Sequence, residues 1–136
     1  MPIKTTTVSA ITGPLPYETK IVARNHLLIS DEPPEKGGGD LGMRPHELLL
    51  AALTSCVCIT IKMYAARKEW KLEQVRSESL MEREVDGGEL TTKIILELML
   101  IGQLDDEMKK RLLEIGGRCP VHKTLIKAIN IEIRLK

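Results

Sequence analysis

The hydrophobic pattern of this 136-residue chain changes period several times, and each change marks an element. A Thr- and Val-rich stretch from Ile3 to Ile11 reads as a strand, broken by Gly13-Pro14-Leu15-Pro16. Lys20–Ala23 and His26–Ser30 form a second hairpin signal around Arg24-Asn25. From Asp31 to Gly42, two prolines and four glycines support neither period, which predicts a loop, either simply mobile or a lid. Arg44-Pro45-His46-Glu47 then opens a helix, with proline in the first turn and an acid close behind, that should run to about Lys68. Val75, Ser77, Ser79, Met81 and Val85 alternate with charged residues, Asp86-Gly87-Gly88 is a turn signal, and Leu90, Thr92, Ile94, Leu96, Leu98 and Leu100 return the pattern, so a long hairpin is predicted. Asp105–Ile115 has helical spacing and is stopped by Gly116-Gly117. Pro120–Ala128 reads as a short helix, and Ile129, Ile131, Ile133 and Leu135 as a final one-sided strand.

Strands and helices are segregated in this order, so the predicted class is α+β, an antiparallel sheet with a long buried central helix in one domain spanning residues 1–136. Between Glu47 and Lys62 the helix has no charge on any face, which predicts burial all round. So small a domain can cover such a helix with its own sheet on one side and a second copy of the chain on the other. A homodimer is expected, the other reading being an internal helix wrapped by the chain's own sheet.

Composition narrows the function. Twenty basic and nineteen acidic residues are interspersed, and there is no Phe, so neither counterion release nor base stacking favours a nucleic-acid partner. The N-terminal residues lack the apolar stretch of a signal peptide, and the longest uncharged run is shorter than the roughly 20 residues that cross a bilayer. A cytoplasmic protein with no membrane partner is expected. Three cysteines in such a compartment fit redox chemistry better than a static disulfide framework.

Cys119 stands just before Pro120, where unpaired helix amides, together with Arg118 and Lys123, would favour a thiolate. His122, three positions on, either hydrogen-bonds that sulfur or is a satisfied structural histidine. Cys56 lies mid-helix among Leu49, Ala52, Leu53 and Ile59, where desolvation disfavours a thiolate. As a nucleophile it would need a cation or donor brought to it, with Arg24, Arg44 and Arg67 as the candidates. Cys58 is two residues from Cys56 and points to nearly the opposite side of the helix. A tetrahedral zinc site from Cys56, Cys58, Cys119 and His122 would thus have to unwind the helix. Cys58 is read as a packing residue, and no metal or other cofactor is expected.

Pro45-His46-Glu47-Leu48-Leu49-Leu50-Ala51-Ala52-Leu53-Thr54-Ser55-Cys56, with Cys119-Pro120-Val121-His122-Lys123-Thr124-Leu125 far downstream and Asp31-Glu32-Pro33 before a Gly-rich loop, resembles the paired cysteine motifs of the OsmC/Ohr family of osmotically induced and organic hydroperoxide resistance proteins. The resemblance extends from about His26 to the C-terminus. It implies an intertwined α+β homodimer with both chains lining each active site. It also implies a stress-response thiol peroxidase: Cys56 attacks a peroxide oxygen to give a sulfenic acid, Cys119 condenses with it to a disulfide, and an external thiol, of the dihydrolipoyl kind in the organic-hydroperoxide branch, reduces the pair. The residues make Cys119 the easier thiolate and the resemblance makes Cys56 the attacker, which agree if Cys119 is the better leaving group on reduction. One position departs from the family pattern. His46 stands where the well-characterised members have glutamate, and Glu47 follows it, rotated by about 100° around the helix. Glu47 is then either a supporting carboxylate or a charge at the helix start. The apolar helix around Cys56 favours organic or fatty-acyl hydroperoxides over hydrogen peroxide. The other reading is a redox-sensing or small-ligand-binding protein without efficient turnover.

Overall fold

Proline fixes φ without needing a hydrogen-bonded amide, and the computed structural model, which describes residues 2–136, begins its longest helix at one. The chain divides into two compact units, Met1–Leu49 and Leu50–Lys136.

In the first unit, β1 (Ser9–Thr12), β2 (Thr19–Ala23) and β3 (His26–Ser30) form an antiparallel sheet in that order. The hairpin predicted around Arg24-Asn25 is present, with Arg24 in the left-handed region at φ 57°. The first strand starts at Ser9, six residues later than the Thr-rich pattern suggested. The loop after β3 contains a short 3₁₀ turn, Pro34–Lys36, and folds around one carboxylate. Asp31 is 3% exposed and accepts backbone N–H bonds from Glu32 (2.7 Å), Gly39 (3.2 Å) and Leu41 (3.1 Å). The Gly-rich run is therefore tied to a buried anion, which the sequence reading as a mobile loop or lid did not foresee.

In the second unit, α1 (Pro45–Arg67), most of which belongs here, β4 (Lys71–Asp86), β5 (Glu89–Gln103), α2 (Asp106–Gly116) and α3 (Pro120–Leu125) share one core. The two-residue turn Gly87-Gly88, with φ of 60° and 85°, has the left-handed backbone that a tight hairpin needs and that glycine adopts without a Cβ clash. It sets a register in which Val75, Ser77, Ser79 and Met81 oppose Leu100, Leu98, Leu96 and Ile94. Asp105 caps α2 by accepting from the Met108 N–H at 2.8 Å. At the far end of α1, the Tyr64 hydroxyl accepts from Arg111 Nε at 3.1 Å, and the Tyr64 and Trp70 rings meet edge to face at 5.6 Å.

Three expectations fail. The helix is not buried all round within this chain: Leu53, Val57, Ile61 and Ala65 are buried, whereas Ile59 and Met63 are 53% and 64% exposed. One hairpin and α2 cover a single face of a helix this long. The final strand at 129–135 does not form, and Ile133 is 94% exposed, because alternation alone does not make a strand without a backbone partner. The short helix before it ends at Leu125, not Ala128. By length and composition alone α1, 23 residues, is long and apolar enough to cross a bilayer, although its uncharged run from 48 to 61 is shorter than a span. Its stripe of buried side chains packs instead into a protein core.

Removing the Asp31 carboxylate strands three amides. Asp31→Ala should lower the unfolding free energy by about 3 kcal/mol. Urea denaturation checks this, and Asp31→Asn, which keeps one acceptor oxygen, should lose less.

Candidate active site

Cys56 reaches its position because α1 is one unbroken helix, so its thiol sits one turn beyond Leu53 and beside Val57 on the edge of the buried stripe. Cys119 arrives by a different route. Helix α2 can lie close against α1 because Gly116 has no side chain: a Cβ there would stand 3.2 Å from both Ile61 Cδ1 and Val57 Cγ1. The chain leaves α2 through Gly117 and Arg118, and Cys119 becomes the N-cap of α3, its sulfur accepting from the His122 backbone N–H at 3.2 Å. A thiol here takes the place usually held by a Ser, Thr, Asp or Asn oxygen.

The two thiols, 63 positions apart in sequence, meet in the same apolar cluster. Both are free, and the Cys56 sulfur lies within interaction range of a protonated Cys119. Their exposures differ: Cys119 is 0% exposed and Cys56 is half-buried. Burial pushes the Cys119 thiol above its ordinary pKa, and donation to Cys56 adds to the rise, while the His122 and Val121 backbone amides pull it down. The expected low-pKa thiolate at Cys119 is therefore overturned. Loss of solvation around a buried thiol outweighs a terminal dipole, which acts over a single helical turn. The flanking Arg118 and Lys123 are exposed, so water screens them.

The other predicted residues take separate places. Cys58 is half-buried, and burial raises its pKa, partly offset by a hydrogen bond with Thr54. The Thr54 hydroxyl in turn bonds Ser77 on β4. This hydroxyl pair was missed, although Ser77 on the apolar face of a strand, with Thr54 in an apolar helix, was the available signal. His122 touches the Cys119 sulfur through its backbone, not its ring. Its Nδ1 is buried with no partner among the described residues, so the satisfied-histidine reading does not hold. Glu47 accepts from the Arg44 backbone N–H at 2.8 Å, half of a capping box at the start of α1. Arg44 pairs with Glu32 at 3.6 Å, Arg24 lies in the hairpin turn, and Arg67 sits over the Tyr64 ring at 5.7 Å. Among the described residues, no group of three or more His, Cys, Asp or Glu is arranged to hold a metal ion.

The sequence matches the OsmC-like protein family model over residues 37–134, well over half of the chain. The chain belongs to the OsmC family. The match takes in both cysteine segments. A search of curated proteins finds no match. Crystal structures similar to this OsmC-family chain include an OsmC-like protein from Mycoplasma pneumoniae, at 19% identity and a TM-score of 0.77, covering 90% of this chain and 88% of that one. An osmotic stress induced and detoxification response protein from Psychrobacter arcticus 273-4 aligns with a TM-score of 0.75 at 22% identity, over 90% of this chain and 89% of its own. An organic hydroperoxide resistance protein OsmC from Legionella pneumophila aligns with a TM-score of 0.68 at 20% identity, covering 92% and 91%. At these identities the likeness concerns the fold, and it bears out the α+β class.

A raised thiol pKa in the folded state has a definite sign. Folded protein keeps the Cys119 proton after the unfolded chain would release it, so this contribution to stability is complete below the ordinary thiol pKa of about 8.5 and is lost as pH rises above it. Urea midpoints of the reduced protein should therefore fall more steeply between pH 8 and pH 10 than those of Cys119→Ala. Iodoacetamide at pH 8 should label Cys56 before Cys119, read by peptide mass mapping.

Proposed function

We propose that this OsmC-family protein is a cytoplasmic, thiol-dependent hydroperoxide reductase in which Cys56 is the peroxidatic and Cys119 the resolving cysteine. The observation that carries the reading is the meeting of the two sulfurs in one apolar cluster, the more accessible one on α1 and the buried one at the entrance of α3.

The Cys56 thiolate attacks the outer oxygen of a hydroperoxide, the O–O bond breaks, and the alcohol leaves with the electron pair and a proton. Cys56 becomes a sulfenic acid. The Cys119 sulfur then displaces water from it, and the two cysteines share a disulfide. An external thiol, with a dihydrolipoyl group as the favoured class, returns the pair to thiols. No metal or bound cofactor enters any step. Leu53 and Val57 beside Cys56 support alkyl or fatty-acyl hydroperoxides as substrates. The Legionella structure, named for organic hydroperoxide resistance, supports the same substrate class. Glu47 and His122 are supporting residues in this reading: the first holds the start of α1, and the second presents its backbone amide to the resolving sulfur.

The working form is a homodimer. Its support is the unburied side of α1 at Ile59 and Met63, together with the unpaired Ile129–Leu135 segment, which offers a second copy both apolar surface and backbone groups. The family match crosses the boundary between the two compact units, in keeping with one OsmC-like domain over residues 1–136.

One observation favours the slower sensing or ligand-binding reading: His46 stands where the peroxidases of the family carry glutamate. Stopped-flow reaction of the reduced protein with cumene hydroperoxide separates the two. The peroxidase should lose thiol at least 100-fold faster than free cysteine does, and a rate no better than free cysteine leaves the sensor. Cys56→Ser should abolish peroxide consumption, whereas Cys119→Ser should keep the first turnover and accumulate sulfenic acid detectable with dimedone.

A further inference from the structure

The disulfide of the proposed cycle presents two sulfurs to a reductant, and they are not equivalent. Thiol–disulfide exchange needs the incoming thiolate to approach along the S–S axis, so the sulfur attacked must be open on the side away from its partner. Cys119 is 0% exposed and packed with Leu53, Val57, Ile61 and Leu112, so approach to its sulfur would require opening the core. Cys56 is half-buried and keeps exposed surface.

Resting on the hydroperoxide-reductase reading, we propose that the external thiol attacks only the Cys56 sulfur, so that Cys56 carries the mixed disulfide with the reductant and Cys119 is the leaving group. The incoming thiolate forms a bond to Cys56 Sγ, the Cys56–Cys119 bond breaks, and Cys119 departs with the electron pair and then takes a proton. A second thiolate attacks the reductant's sulfur in the mixed disulfide, releasing Cys56 as a thiolate and the reductant as a disulfide. The His122 backbone N–H, already 3.2 Å from Cys119 Sγ, is in place to hold the departing charge.

Leaving-group chemistry alone opposes this choice, because burial makes Cys119 a poorer leaving group. With a Brønsted coefficient near 0.5, each unit of leaving-group pKa costs about threefold in rate. Loss of an approach path costs far more, so access decides.

The test uses the full-length protein in a Cys58→Ala background, oxidised with diamide so that it does not depend on peroxide. The disulfide form is treated briefly with excess 2-mercaptoethanol, quenched with acid, blocked with N-ethylmaleimide and mapped by mass spectrometry. The expected result is at least tenfold more mercaptoethanol on the Cys56 peptide than on the Cys119 peptide, with maleimide on Cys119. In the same background, Cys119→Ser should react with dithiobis(nitrobenzoate) at least tenfold faster than Cys56→Ser. Adduct mainly on Cys119, equal labelling of the two, or failure of diamide to join them would overturn the assignment. If the Cys56 adduct forms as expected while peroxide is not consumed, the reductase reading falls and this assignment stands.

Discussion

The second unit depends on one seam of packing. Leu53, Val57, Ile61 and Ala65 recur every four residues along α1, and against this stripe lie Leu72, Leu112 and Cys119 with the inward side chains of β5. A fully buried Leu or Ile contributes about 1.5–3 kcal/mol, so the stripe, Leu72 and Leu112 together dominate the stabilisation available to this unit. The seam also makes the site. Cys56 rides on the edge of the stripe and Cys119 is a member of the cluster, so the contacts that fold the unit are the same contacts that bring the sulfurs together. Gly116 is the permissive element, since a Cβ there would crowd the Ile61 and Val57 side chains at 3.2 Å.

Elements whose cause is local were legible in the sequence. The Gly87-Gly88 turn with its alternating flanks gave the long hairpin and its inward face, the helix opened by Pro45 and expected to about Lys68 ends at Arg67, and Asp105 with the glycines at 116 and 117 bounded α2. What could not be read had non-local causes. Alternation at Ile129–Leu135 describes a segment suited to one side of a sheet, but a strand exists only where another backbone is beside it. The charge-free span from Glu47 to Lys62 was read as burial on every face, yet the covering elements of a single chain reach only the four-residue stripe. Asp31 looked like a loop charge, and only the folded backbone shows three amides turned toward it.

The candidate site was legible in its members and not in its electrostatics. Cys56 and Cys119 stand out by their sequence settings, and Cys58, two residues from Cys56, is engaged by Thr54, whose hydroxyl also bonds Ser77. The direction of the Cys119 shift was misread because a helix start was weighed without its depth. An N-terminal dipole acts over one turn and is worth a fraction of a pKa unit, while a sulfur with no exposed surface loses solvation on every side.

The correction bears on the roles proposed for the two cysteines. A buried Cys119 that stays protonated belongs to the apolar cluster that Cys56 packs against. The sequence reading asked which arginine would reach Cys56, yet Arg44 pairs with Glu32 and Arg67 lies over the Tyr64 ring. Cys119 has no exposed surface, so in the proposed cycle it acts only after a sulfenic acid has formed at Cys56. The division of labour proposed for the two sulfurs thus rests on depth in the core, not on the charges nearest to them in sequence.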